Sequence, residues 1–192
     1  MAILSVKTRQ TYMKALGFYT GSVDGVEGPK TKAAYLALQK KYFERDKDID
    51  GLYGKNTDIL LRSAYNMKDA KNFKLSEFRC KCGGKYCTGF PAEIDKDLID
   101  NLQKLRDTYR QSIKIQSGLR CTTWNSLQGG AAGSRHKSGK AADIYMSGIT
   151  TSVSGRKKII KAWYSLPNSR YSYANINGAY PNMGSSVHVD VR

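Results

Sequence analysis

The sequence predicts an α+β protein: a small three-helix N-terminal domain over residues 1–66, a linker over 67–74, and a compact α+β domain with an antiparallel sheet over 75–192. Three observations predict it. Apolar residues recur at helical spacing in several segments, and short alternating runs read as strands. The two kinds of segment never settle into the regular βαβ order of a parallel sheet.

The first helical face carries Val6, Met13 and Leu16. Two copies of the pattern D-G-x-x-G-x-x-T follow, Asp24 to Thr31 and Asp50 to Thr57, each ahead of a helical stripe. After the first copy come Ala34, Leu38 and Tyr42, with Pro29 suited to a first helical turn; after the second come Leu60, Leu61, Ala64 and Tyr65. The D-G pairs suit tight turns, and the later glycine of each copy is expected to supply positive φ just before its helix. Met67 to Lys74 is polar and unpatterned, as in a linker. Beyond it, Ile94, Leu98, Leu102, Leu105 and Tyr109 form a helical stripe. Ile113 and Ile115 alternate with polar neighbours as in a half-buried strand, and residues 141–146 alternate likewise. Lys157 to Leu166 reads as a helix, and the chain closes on the strict alternation Val187-His188-Val189-Asp190-Val191.

Hydrophobic residues make up 40% and charged residues 25%, which excludes a disordered chain. No apolar run approaches the eighteen or so residues that span a membrane. The first ten residues lack a basic, apolar and small-residue leader pattern, so a secretory signal is absent or was removed. The net charge is +16 and unevenly spread: residues 71–192 hold twenty Lys/Arg against eight Asp/Glu. Such a surface should attract polyanions, among them anionic cell-wall polymers. It carries no basic-aromatic reader motif or zinc-finger spacing, so nucleic acid is not expected as a partner.

The chemistry concentrates in two short segments. The chain has only two histidines, His136 and His188, and between Thr108 and Arg192 only two acids, Asp143 and Asp190. All four fall in Ser134–Asp143 and His188–Asp190. Two imidazoles and a carboxylate make a hydrolytic zinc set with one position open, and zinc lowers the pKa of a coordinated water to about 7. A further carboxylate is wanted to take the proton. If Val187, Val189 and Val191 face the core, His188 and Asp190 share the opposite face with Cα atoms about 6.5–7 Å apart.

The N-terminal pattern, with Leu16-Gly17-Phe18-Tyr19-Thr20-Gly21 and Gln39, resembles the small helical peptidoglycan-binding domain of wall hydrolases. The second half is similar to the M15 zinc D-Ala-D-Ala carboxypeptidases and L,D-endopeptidases. The shared residues are Ser117-Gly118-Leu119-Arg120, Asn125 with Gly129-Gly130, the S-x-H-x-x-G-x-A-x-D of Ser134 to Asp143, and the closing H-x-D strand. This resemblance implies one zinc per chain on His136, Asp143 and His188, with Arg120 and Ser134 contacting substrate or its tetrahedral intermediate. It also implies hydrolysis of peptidoglycan stem peptides by a monomeric, endolysin-like enzyme. Such an enzyme would be made in the cytoplasm and act on the wall once the membrane is opened.

One departure bears on mechanism. Branches of that family carry an acid three residues before the final histidine, or a histidine two before it; here Ser185 and Ser186 stand there. Asp190 is then the expected general base, with Glu77 and Glu93 the other candidates. Asp190 could instead orient His188 through its second ring nitrogen. Without any base, a non-catalytic wall-binding protein with a structural zinc is the competing reading. For Cys80, Cys82, Cys87 and Cys121, disulfides, free buried thiols and a structural metal site all stay open.

Overall fold

The Ser5 hydroxyl accepts from the Thr8 N–H at 3.2 Å and starts α1 (Val6–Ala15). In the computed structural model, which describes residues 2–192, α2 (Pro29–Tyr42) and α3 (Lys55–Asn66) follow. Each D-G-x-x-G-x-x-T copy is folded around one buried glutamine. The Gln39 amide donates to Asp50 Oδ1, the Leu52 carbonyl and Thr57 Oγ1 at 2.9–3.0 Å, and its oxygen accepts from the Gly51 N–H at 2.8 Å. Gln10 repeats these contacts with Asp24, Val26, Thr31 and Gly25. The repeat therefore encodes the ring of partners that satisfies a buried amide.

One local expectation is corrected here. Positive φ falls on the glycine of each D-G pair, Gly25 at 81° and Gly51 at 72°. The later glycines, Gly28 and Gly54, cap their helices in extended geometry at φ −96° and −103°. The reversal is made inside the turn, where the glycine N–H must point back at the glutamine.

The second half is α+β, as expected. It contains α4 (Lys96–Tyr109), β1 (Lys114–Ser117), α5 (Thr122–Leu127), β2 (Ala141–Tyr145), α6 (Val153–Tyr164), β3 (Ser169–Ala174) and β4 (Val187–Val191). The sheet is wholly antiparallel, in the order β1-β2-β4-β3. Helices α4 and α6 cover one face, where Ile144, Val187, Val189, Val191 and Trp163 are fully buried. The opposite face of the sheet is left to the polar residues of β2 and β4. Trp163 also joins helix to sheet, because its indole N–H donates to the Asp190 carbonyl at 2.9 Å.

The N-terminal helices are packed against this half through one continuous apolar core. Asn66 Nδ2 donates to the Ile94 carbonyl at 2.8 Å, Ser63 Oγ accepts from the Ile94 N–H at 3.0 Å, and Arg79 pairs with Glu44 at 3.1 Å. Met67 and Phe73, in the polar stretch between the halves, are both buried in the shared core. Among the described residues no helix is long and apolar enough to cross a membrane.

Candidate metal centre

Two adjacent strands and one turn build the site. β2 and β4 pair so that Asp143 lies directly opposite His188 and Ala141 opposite Asp190. Valines on β4 take the core face, so His188 and Asp190 emerge on the other face together with Asp143. The third member comes from a short 3-10 helix, Arg135–Ser138, which ends on Gly139 in the left-handed region at φ 73°. That glycine explains the H-x-x-G spacing. A Cβ there would lie 1.8 Å from the Glu93 carbonyl oxygen, so only glycine lets the chain turn from His136 into β2. Gly139→Ala is expected to destabilise the protein by about 2–4 kcal/mol, combining left-handed strain with overpacking. Thermal unfolding would show it, and an unchanged Tm would contradict the close approach.

His136 Nε2 and His188 Nδ1 lie 3.3 and 2.9 Å from the same oxygen, Asp143 Oδ1. Donor atoms from the three side chains all fall within 4.8 Å of one another, and all three residues are buried. Their remaining valences are already committed. His136 Nδ1 is 2.6 Å from the Gly118 carbonyl, which can only accept, so the proton sits on Nδ1 and Nε2 presents a lone pair inward. Asp143 Oδ2 accepts from Arg120 Nη2 at 2.5 Å, and Arg120 is itself held by Ser117 Oγ at 2.8 Å. Tyr173 stacks on the His188 ring at 4.4 Å between centroids.

Ionisation follows this geometry. Burial opposes charge on Asp143, but hydrogen bonds with His136 and His188 hold its carboxyl well below the usual range. It is a carboxylate at neutral pH, as a metal ligand has to be. Burial likewise disfavours charge on Asp190, and its hydrogen bonds with His188 and the Tyr171 N–H lower it nonetheless. Three converging donors of the types N, N and O, each steadied from behind, fit a zinc ion with a position left open.

The donors sit in a cavity of about 250 Å³ whose wall includes Arg120, Ser134, Arg135, Arg170, Tyr171 and Asp190. The loop carrying Ser134 is held by Asn125, whose Nδ2 donates to the Gly130 and Ala131 carbonyls at 3.1 and 3.0 Å. That contact is the structural reason for the Asn125…Gly129-Gly130 pattern. Asp190 Oδ1 accepts from the Tyr171 N–H at 2.7 Å, and Oδ2 is 3.5 Å from His188 Nε2, the ring nitrogen turned away from Asp143. Neither Glu77 nor Glu93 reaches the cavity. Glu77 accepts from the Lys74 N–H at 2.6 Å, and Glu93 accepts from Asn66 Nδ2 at 3.0 Å.

Residues 71–165 match the Peptidase M15 family. The chain is also 32% identical over 149 residues to a zinc D-Ala-D-Ala carboxypeptidase of Streptomyces albus G, an alignment covering 71% of this chain and 56% of that relative. The chain thus spans little more than half the relative's length. His188 and Asp190 lie beyond the matched M15 segment, and it is the β2–β4 register that brings them to His136 and Asp143. Reading the sequence missed Tyr173 and Arg135 as parts of the cavity wall. Tyr173 is on β3, which no apolar alternation announces, and Arg135 differs from other surface arginines only in preceding His136.

Proposed function

We propose that this chain is a zinc metallopeptidase that hydrolyses peptide bonds in peptidoglycan stem peptides. The observation that carries the reading is the convergence of His136 Nε2, Asp143 Oδ1 and His188 Nδ1 at the floor of an open, arginine-walled cavity. The M15 match and the D-Ala-D-Ala carboxypeptidase relative support the substrate class. Zinc bound there supplies Lewis acidity and an activated water at neutral pH.

The chain's own residues do the rest. Gly118 and Arg120 fix His136 and Asp143 from behind, so Arg120 serves first to position a ligand; its Nη1 remains available for a substrate oxygen. Ser134, Arg135 and Arg170 offer a hydroxyl and two guanidiniums to the peptide and its carboxylates. Asp190 holds the His188 ring through Nε2. The two nitrogens of one imidazole point in divergent directions, and this contact supports a role for Asp190 in orienting the ligand His188. The serines at 185 and 186 offer no base in its stead.

On this reading α1–α3 form a wall-binding module that holds the enzyme on its polymer, aided by the +12 surface of residues 71–192 (twenty basic against eight acidic). An endolysin is the biological role that suits both activities. Mass spectrometry of muropeptides released from purified sacculi tests the activity and names the bond. Binding to sacculi without release by the zinc-loaded protein would favour the non-catalytic reading, for which the serines at 185 and 186 speak.

A further inference from the structure

A second cluster of metal-ligand side chains lies outside the cavity. Cys80, Cys82, Cys87 and Cys121 place their sulfurs within 4.8 Å of one another, with Cys82 and Cys87 at 3.5 Å. None is in a disulfide, and Cys80, Cys82 and Cys121 are buried. A disulfide would need a separation of about 2.05 Å. A tetrahedral tetrathiolate site with metal–sulfur bonds of 2.3 Å has edges of about 3.8 Å, which is the spacing this cluster approaches. We propose that these four cysteines bind a second, structural zinc ion.

Further observations support a metal site over four loosely packed thiols. Backbone N–H groups are aimed at three of the contacts: Cys121 N–H at Cys80 Sγ (3.3 Å), Gly89 N–H at Cys87 Sγ (3.4 Å) and Trp124 N–H at Cys121 Sγ (3.4 Å). Such donors stabilise sulfur that carries negative charge. The sequence around the cluster is cationic as well. Lys81 and Lys85 alternate with the cysteines. A zinc tetrathiolate is a dianion, and these cations match its charge. Soft thiolates in fourfold array select zinc or an iron–sulfur cluster among common metals.

The site would act on the cavity through the chain. Cys121 directly follows Arg120, which holds Asp143, and Leu119 N–H donates to the Phe78 carbonyl at 2.8 Å, two residues before Cys80. Zinc on the four sulfurs therefore clamps the loop 80–89 to the segment whose Gly118 carbonyl and Arg120 orient His136 and Asp143.

Elemental analysis of the full-length chain tests the proposal. Two zinc per chain are expected in the native protein, one in His136→Ala, and one in the double variant Cys82→Ser/Cys87→Ser. If the double variant does not fold, His136→Ala still decides. An organomercurial titration of that protein should release its remaining zinc in step with thiol modification. Its cobalt-substituted form should show the intense sulfur-to-cobalt charge-transfer absorption that a His/Asp site cannot give. Zinc-free His136→Ala protein, iron in place of zinc, or an intact mass lowered by the hydrogens of one or two disulfides would overturn the proposal. The two sites fail separately: loss of the cavity metal leaves the sulfur signature, and the reverse holds for the cysteine variant.

Discussion

Replacing His136 by alanine is expected to abolish peptide hydrolysis and to remove one zinc per chain. The imidazole is buried, its Nδ1 proton is committed to the Gly118 carbonyl, and its Nε2 faces Asp143 Oδ1 at 3.3 Å. Loss of a residue that merely supports a ligand costs about 10–100-fold in metal affinity or activity. Loss of one of three ligands should cost more, so activity should fall by at least about 10²-fold, and adding zinc should not restore it. The substitution also removes the side-chain contact to Gly118, while the backbone bond from the Arg120 N–H to the residue 136 carbonyl at 3.1 Å still holds that segment to the 3-10 helix. A thermal melt should accompany the assay, because a folded, metal-poor and inactive protein is the expected result. Retention of both full activity and full zinc would exclude His136 as a ligand, and with it the whole triad.

Asp190→Asn carries the second large expected effect and separates two roles. If Asp190 orients His188, the variant should bind the cavity zinc about 10–100-fold more weakly and recover most of its turnover at saturating zinc. If Asp190 instead takes the proton from water, turnover should fall by about 10²–10⁴-fold with zinc still bound. The geometry supports the first outcome. Oδ2 lies on His188 Nε2, Oδ1 is occupied by the Tyr171 N–H, and the nitrogen facing Asp143 is Nδ1. Metal content and kcat measured together at several zinc concentrations distinguish the cases. A loss of turnover that zinc cannot repair would return the base to Asp190.

Much of this site can be read without coordinates because its residues are rare in their surroundings. Two histidines and two acids in a strongly basic stretch stand out by composition, and period-two alternation in Val187–Val191 puts His188 and Asp190 on one face. Strand β3 could not be read that way. Its inward positions are Ser172 and Ala174, whereas Tyr171 is 56% exposed, so the usual apolar-in pattern is inverted. The inversion has a physical reason: small residues let β3 pack closely on β4 and α6, while tyrosines line the cavity side. The D-G-x-x-G-x-x-T repeat announced two like turns, but the residue that organises each is a glutamine many positions upstream. Gln39 and Gln10 emerge as twins only through the same ring of partners around each amide. Arg120 shows the remaining gap. Its type and motif suggested substrate contact, but only side-chain geometry reveals its hold on Asp143.

The measurement that bears most directly on the account is muropeptide release from sacculi as zinc is returned to protein stripped of metal. Zinc-free protein, verified by elemental analysis, is expected to release nothing above background. Release should then rise with added zinc and level off once the His136, Asp143 and His188 site is filled. Equal release by zinc-free and zinc-loaded protein would contradict the account.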